Sequence, residues 1–169
     1  MLDDKTRRLL VEAAERGARY LADLESRPVF PAAASISRLE EALDVPLPSH
    51  PNDALEVLSF IDEFGSPATV ASAGGRYFGF VTGGALPATV AANWLAGAWD
   101  QNCFGFTSSP AVALFESTAI RWLKDLLGVP ASAEGALVTG ATMANFTCLA
   151  AARHEVLRRA GWNVESQGL

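Results

Sequence analysis

The fold is decided by residues 135–143, which read GALVTGATM. Residues 135–139 are expected to form a short buried strand, residues 140–142 a tight turn, and the residues from Met143 to about Ala160 a helix that ends at Gly161. A strand, a glycine turn and a helix N-terminus in direct succession form the opening half of a βαβ unit. No neighbouring strand is evident elsewhere in the sequence. We therefore expect the 169 residues to be the front part of a larger α/β protein.

The turn at residues 139–142 has two interpretations. Backbone N–H groups at a helix N-terminus, beside the Thr142 hydroxyl, form an arrangement that binds phosphate. Alternatively, Thr142 only caps the helix, and Gly140 is present for its backbone conformation. The lysine of a Walker P-loop and the full GxGxxG of a dinucleotide fold are both missing. The spacing by itself leaves the phosphate site and the helix cap open.

Helical periodicity predicts most of the remaining elements. The first 65 residues carry little core of their own, so we interpret residues 1–65 as a helical arm with a connector and residues 66–169 as the start of the larger domain. The predicted helices lie at about residues 4–25, capped by Asp3 or Asp4, at 52–64, at 87–99 and at 110–127, with a short one near 37–43 in a proline-rich connector.

Composition and charge exclude several classes of partner. The formal net charge is −6, and no large basic cluster offers a footprint for a nucleic-acid backbone. Cys103 and Cys148 lie far apart in no metal-ligand pattern, and the N-terminus does not resemble a signal peptide. We therefore expect a cytoplasmic protein with reduced thiols, no metal site and no nucleic-acid partner.

An uncharged run extends from Tyr77 to Trp99 and is long enough to cross a bilayer. The pair Gly83-Gly84 and Pro87 divide this run into two differently structured pieces, which is atypical of a membrane helix. We expect no membrane span. The low charge instead predicts burial by protein, from a partner subunit or from the rest of a larger chain.

Few other residues are candidates for chemistry. His50 and His154 are expected to be exposed, and the serines near residue 108 lack the context of a catalytic triad. Glu116 is a lone acid that is either exposed or tied to the backbone or to a partner charge. Residues 104–106, Phe-Gly-Phe, either fill a core or form an apolar wall for a ligand.

Several segments in a fixed order resemble the pyridoxal-phosphate-dependent group II amino-acid decarboxylases. The resemblance covers nearly the whole chain, although Gly75-Arg76 stands where the family usually has His-Pro. The matching segments are residues 27–29 (RPV), 75–80 (GRYFGF), 85–88 (ALPA), 109–111 (SPA), Glu116, 122–123 (WL), 138–145 (VTGATMAN) and 150–153 (AAAR).

The resemblance implies a homodimer of the aspartate-aminotransferase-like fold, fold type I, with pyridoxal 5′-phosphate as cofactor. In similar enzymes the N-terminal helices wrap the partner, and the substrate pocket lies across the dimer interface. The residues that the resemblance assigns are Gly140, Ala141 and Thr142 for the cofactor phosphate, and Thr82, Phe104 and Phe106 for the substrate.

No catalytic residue is assigned, because the Schiff-base lysine of the family has no counterpart here. The lysines are Lys5, in the first helix, and Lys124, at a surface position of the helix that ends at Gly128. The expected function is the N-terminal portion of a decarboxylase acting on an L-amino acid, inactive until joined to the lysine-bearing part. Two alternatives stay open: a truncated, non-catalytic dimerisation module and a small anion-binding α/β domain.

Overall fold

The computed structural model describes residues 2–168, which divide between Trp94 and Leu95 into two compact units. Within this range every regular element is helical. The helices are α1 (Asp4–Ala22), α2 (Ala33–Leu43), α3 (Ala54–Phe60), α4 (Pro87–Trp99), α5 (Pro110–Leu127), α6 (Ala141–Arg159) and α7 (Val164–Gln167). A π-helical turn, Ile61–Gly65, and a 3₁₀ turn, Ser66–Ala68, continue α3.

Local signals account for the helix ends. The Asp3 side chain accepts a hydrogen bond of 2.6 Å from the N–H of Thr6, which confirms a predicted cap of α1. Gly128 closes α5 in the left-handed conformation with φ 65°, as glycine after a helix commonly does. Helix α2 begins at Ala33 and is longer than the pattern predicts. Helix α6 begins at Ala141, two residues earlier than predicted.

The predicted strand at residues 135–139 was wrong for the described part of the chain, where these residues form no regular element. A strand needs a neighbour to pair its N–H and carbonyl groups. Between residues 2 and 168 no strand is available. The N–H of Leu137 is instead 3.3 Å from Glu116 Oε1. The α/β class is therefore not confirmed by the observed secondary structure.

The first unit is tied together mainly by polar contacts of α1. Arg16 Nη1 lies 2.9 Å from Asp62 Oδ2 in the π-helical turn, and Arg16 Nη2 donates to Ser59 Oγ at 3.0 Å. The Arg27 guanidinium lies 4.6 Å from the Tyr20 ring centroid and donates to a backbone carbonyl beyond the π-helical turn. These contacts hold α1 against the α3 region.

Little apolar surface is buried. Among the described residues, Leu24 and Ala71 are the buried apolar side chains, and Ser109 is the buried polar one. The chain exposes 13468 Å², whereas a folded monomer of this length exposes about 8000 Å². The chain by itself therefore leaves most of its apolar side chains in contact with water.

The burial predicted for the uncharged run is not provided by this chain. Phe78 and Phe80 are 94% and 96% exposed. Phe80 and Val81 both have positive φ, near 51° and 52°, which is uncommon for residues other than glycine. The domain boundary predicted between residues 65 and 66 stays a prediction.

Candidate functional site

Helix α6 begins at the glycine turn that the sequence singled out. Gly140 precedes the helix with φ 97° and ψ 170°, a conformation that is nearly restricted to glycine. No side chain caps this end, and Thr142 is the second residue of the helix. The capping role considered for Thr142 is therefore not seen in the described residues.

The start of α6 offers hydrogen-bond donors. Ala144 is the first residue whose N–H reaches back to the Gly140 carbonyl, at 3.1 Å. The N–H groups of Ala141, Thr142 and Met143 come before this first i to i−4 hydrogen bond, so they have no acceptor within the helix. All three residues are exposed. Amides at a helix N-terminus together with a hydroxyl suit a phosphate group.

One face of α5 holds the segment that leads to this turn. Glu116 Oε1 accepts from the Leu137 N–H at 3.3 Å. Lys124 Nζ donates to the carbonyl oxygens of Ala131 and Ala133 at 2.9 and 2.8 Å. Glu116 is half-buried and tied to the backbone, one of the alternatives the sequence left open.

An open pocket of about 430 Å³ lies within the second unit beside this contact. Cys103, next to the Phe104–Phe106 loop, and Leu137, three residues before Gly140, both line it. Phe115 and Glu116 contribute an aromatic and a carboxylate side chain. The loop before α5 and the segment before α6 therefore meet at one cavity.

The residues assigned to the substrate are exposed. Phe104 is 80% and Phe106 62% exposed, and both belong to the second unit. Thr82 is exposed in the first unit. These three assignments, and those of the phosphate turn, stay predictions.

Arg76, where the sequence departs from the family pattern, has a defined place. Its guanidinium donates to the carbonyl oxygen of Glu25 at 2.7 Å and to that of Arg27. The side chain thereby fastens the segment after residue 75 to the loop that follows α1. Arginine can supply several donors at once, so it serves as a cross-link here.

Other candidates are less prominent. His50 is exposed, as predicted, and His154 is half-buried. The fully buried Ser109 Oγ has no hydrogen-bond partner among the described residues. No cluster of three metal-ligating side chains was found in the described range. Similarly, none of the helices described is both long and apolar enough to span a membrane.

The sequence profile of the pyridoxal-dependent decarboxylase conserved domain matches residues 37–165. A glycine turn with unpaired amides at a helix start is consistent with a class of proteins that anchors a phosphate-bearing cofactor. The chain belongs to the pyridoxal-dependent decarboxylase family. The predicted family is thereby confirmed, as is its cofactor, pyridoxal 5′-phosphate.

Individual proteins agree with this family. The chain is 29% identical over 154 residues to an aromatic-L-amino-acid decarboxylase of Bacillus atrophaeus, which covers 91% of this chain and 32% of the relative. It also resembles Oryza sativa TDC crystallised with PLP, with a TM-score of 0.77 and 25% identity over 96% of this chain and 36% of that one.

A third protein supports the fold alone. Rhodiola rosea 4-hydroxyphenylacetaldehyde synthase has a TM-score of 0.58 and 22% identity, over 69% of this chain and 25% of its own. The chain spans about a third of the length of the Bacillus and Oryza proteins. Because these structural neighbours include PLP-bound enzymes, the fold is consistent with fold type I.

Sequence reasoning missed one residue of this region. The pattern predicts a surface position for Lys124 but not its two hydrogen bonds to carbonyl oxygens, with which the half-buried side chain is engaged. The spacing could have indicated this role. Glu116, Ile120 and Lys124 lie four residues apart and therefore share one face of α5.

Proposed function

We propose that the protein carrying this chain is a pyridoxal-phosphate-dependent amino-acid decarboxylase and that this chain supplies its phosphate-binding turn. One observation supports the turn most directly: α6 starts at Gly140 with φ 97° and with no side-chain cap. The donors at this helix end are thus available to an anion. We further propose residues 1–65 as the helical arm and residues 66–169 as the start of the cofactor-binding domain.

The role of the turn is to anchor. When bound, the cofactor supplies an electron sink for the pair left behind as the substrate α-carboxylate departs as carbon dioxide. The amides of Ala141 and Thr142 and the Thr142 hydroxyl would donate to the phosphate, and the dipole of α6 would favour its negative charge. Anchored in this way, the phosphate would fix the position of the cofactor.

Thr82, Phe104 and Phe106 are proposed for the substrate side. The two phenylalanine rings are exposed in this chain and offer apolar faces to a substrate side chain. Similarity to an aromatic-L-amino-acid decarboxylase favours an aromatic L-amino acid as substrate. No side chain of this chain is proposed as the catalytic lysine.

We also propose a cytoplasmic homodimer. Helix α5 exposes several large apolar side chains, and exposed apolar surface of this kind is typical of an interaction site. The same surface favours the second candidate, a non-catalytic dimerisation module. The apolar residues of α5 that are at least 57% exposed are Leu114, Phe115, Trp122, Leu126 and Leu127.

Carbon dioxide release separates the candidates. The complete protein, freed of cofactor, is mixed with pyridoxal phosphate and with L-tryptophan, L-tyrosine, L-phenylalanine or L-glutamate. We expect cofactor-dependent release from at least one aromatic L-amino acid and none from its D-enantiomer. A dimer that releases no carbon dioxide favours the non-catalytic module. A monomer that binds inorganic phosphate as tightly as pyridoxal phosphate favours the anion-binding domain.

A further inference from the structure

We propose that Glu116, Ile120 and Lys124 are positioning residues that set the place of the phosphate turn through the segment before it. The inference rests on the proposed function of the turn at Gly140. Hereafter the three side chains are called the α5 stripe, and residues 131–137 the leader segment.

Two hydrogen bonds and one close approach follow in order along α5 and the leader segment. Glu116 receives the Leu137 N–H, and Lys124 donates to the carbonyl oxygen of Ala133. Between them, a Cβ placed on Gly135 would lie 3.2 Å from Ile120 Cγ2. A step of four residues along α5 therefore corresponds to two residues of the leader segment, which runs in the opposite direction.

The two spacings match in length. Four residues of α-helix rise about 6 Å, and two residues of extended chain span about 6.6 Å. The agreement of the two steps is consistent with residues 133–137 running alongside α5 at matching spacing. A side chain at position 135 would fit only if Ile120 shifted by a few tenths of an ångström.

The leader segment forms no regular element in the described residues. Most of its residues are exposed, and no strand pairs with it within residues 2–168. Three residues after Leu137 the chain reaches Gly140, where α6 begins. A displacement of the leader segment is therefore passed on to the amides at the start of α6. The α5 stripe is not proposed to contact the phosphate. It affects cofactor binding by positioning the amides at the start of α6.

The test uses pyridoxine 5′-phosphate, which has the phosphate but no aldehyde and hence cannot react with a lysine. Its affinity for the complete apoprotein is compared with that of pyridoxine, which lacks the phosphate. Lys124→Met removes the donors at similar length, Lys124→Arg restores donors, and Lys5→Met is a matched control. Lys5 pairs with Asp53 in the first unit and lies outside the second.

We expect Lys124→Met to weaken the binding of pyridoxine 5′-phosphate about tenfold, within the usual range for coupling between two sites, and to leave the binding of pyridoxine unchanged. Lys124→Arg should recover most of the affinity, and Lys5→Met should retain it. In the cofactor-free protein, hydrogen exchange at the Leu137 amide should accelerate in Lys124→Met only. Exchange reports the placement of the leader segment independently of the ligand.

Two negative results are distinguishable. If the wild-type protein binds pyridoxine 5′-phosphate no better than pyridoxine, the proposed phosphate turn is wrong and the inference fails with it. If the wild-type protein prefers the phosphate and Lys124→Met does so equally, the turn stands and the positioning role is wrong. Circular dichroism confirms that each variant keeps its helices.

Discussion

Thr142 allows the phosphate turn to be tested with one hydroxyl. Its side chain makes no capping bond in the described structure, so Thr142→Ala should change the free energy of unfolding little. If the hydroxyl binds the phosphate, the same change should cost roughly 1.5 to 3 kcal/mol, or about ten- to a hundredfold in pyridoxal phosphate affinity. Thr142→Ser should keep most of the affinity. Titration of the cofactor into the complete apoprotein measures the affinity of each variant.

Thr147 provides a matched control on the same helix. Its hydroxyl donates to the Met143 carbonyl at 2.9 Å, beyond the first turn. Thr147→Ala removes the same group and should leave cofactor affinity unchanged. Equal affinity in wild type and Thr142→Ala would rule out the hydroxyl as a phosphate ligand.

The two lysines of the chain should not form a stable imine with pyridoxal phosphate. Lys124 is engaged by two carbonyl oxygens, and Lys5 lies 2.5 Å from Asp53 as an ion pair. We expect borohydride reduction of the isolated chain with the cofactor, followed by peptide mapping, to give no stoichiometric adduct on either. A full adduct on Lys124 would contradict the assignment of the catalytic lysine to residues outside this chain.

Asp62 should make the first unit sensitive to acid. A hydrogen bond from Ser66 and then the Arg16 guanidinium lower the pKa of the Asp62 carboxyl, while partial burial opposes them. Because the folded-state pKa is depressed, the stabilisation is fully present above the ordinary aspartate pKa of about 3.9. It is lost as the pH falls through the lower, folded-state pKa.

Urea unfolding can check this sign. Asp62→Asn should unfold at lower urea than wild type at neutral pH, and the difference between the two should shrink on acidification. Ser66→Ala removes the 2.8 Å hydrogen bond to Asp62 but keeps the charge. Its difference from wild type in urea unfolding should be smaller than that of Asp62→Asn, and it should likewise shrink on acidification. A difference that grows on acidification would show that Asp62 does not act as described.

At the scale of the element, two glycines adjoin helices and differ in what they should affect. Gly128 ends α5 with φ 65°, and Gly140 starts α6 with φ 97°. Alanine is strained at both positions, by roughly 1 to 3 kcal/mol. We expect both Gly128→Ala and Gly140→Ala to lower thermal stability.

Only Gly140→Ala should also weaken pyridoxal phosphate binding, because only that glycine sets the direction of the amides at the start of α6. Cofactor titration of the two complete apoproteins, at matched temperature below both transitions, separates stability from affinity. Loss of affinity in Gly128→Ala to the same extent would mean that the effect is global unfolding.

The elements differ in how far their sequence determines them. Helices α4 and α5 have the predicted bounds, because Pro87 and Pro110 favour a first turn and Gly128 favours an end. The strand at residues 135–139 was wrong because pairing depends on a neighbour, which no local pattern can supply. The carbonyl partners of Lys124 could not be predicted for the same reason, since they lie in a segment without regular structure.

At the scale of the whole molecule, the exposed apolar surface should make the isolated chain associate. Leu126 is 80% exposed on α5, and surfaces of this kind are buried in protein interfaces. Sedimentation should detect species larger than a monomer, and Leu126→Glu should reduce them. Ser117→Glu, at an exposed position of the same helix, adds equal charge and should reduce them less.

A monodisperse monomer with a cooperative thermal transition would contradict this prediction. The sequence indicated the need for an outside partner through its uncharged run, from Tyr77 to Trp99. The exposure of Phe78 and Phe80 in this chain agrees with that need, but the sequence could not indicate which surface covers them. The exposure of a side chain depends on which other surfaces pack against it. The local sequence pattern indicates only that burying an apolar side chain is favourable.

The α5 stripe also bears on how the chain folds. The residues it joins are close in sequence, with a separation of 21 residues for Glu116 and Leu137 and of nine for Lys124 and Ala133. Contacts of short sequence separation cost little loop-closure entropy and favour fast formation. Helix α5 and the chain that follows can therefore assemble early as a local hairpin. The start of α6 is then placed before any distant part of the protein has to arrive.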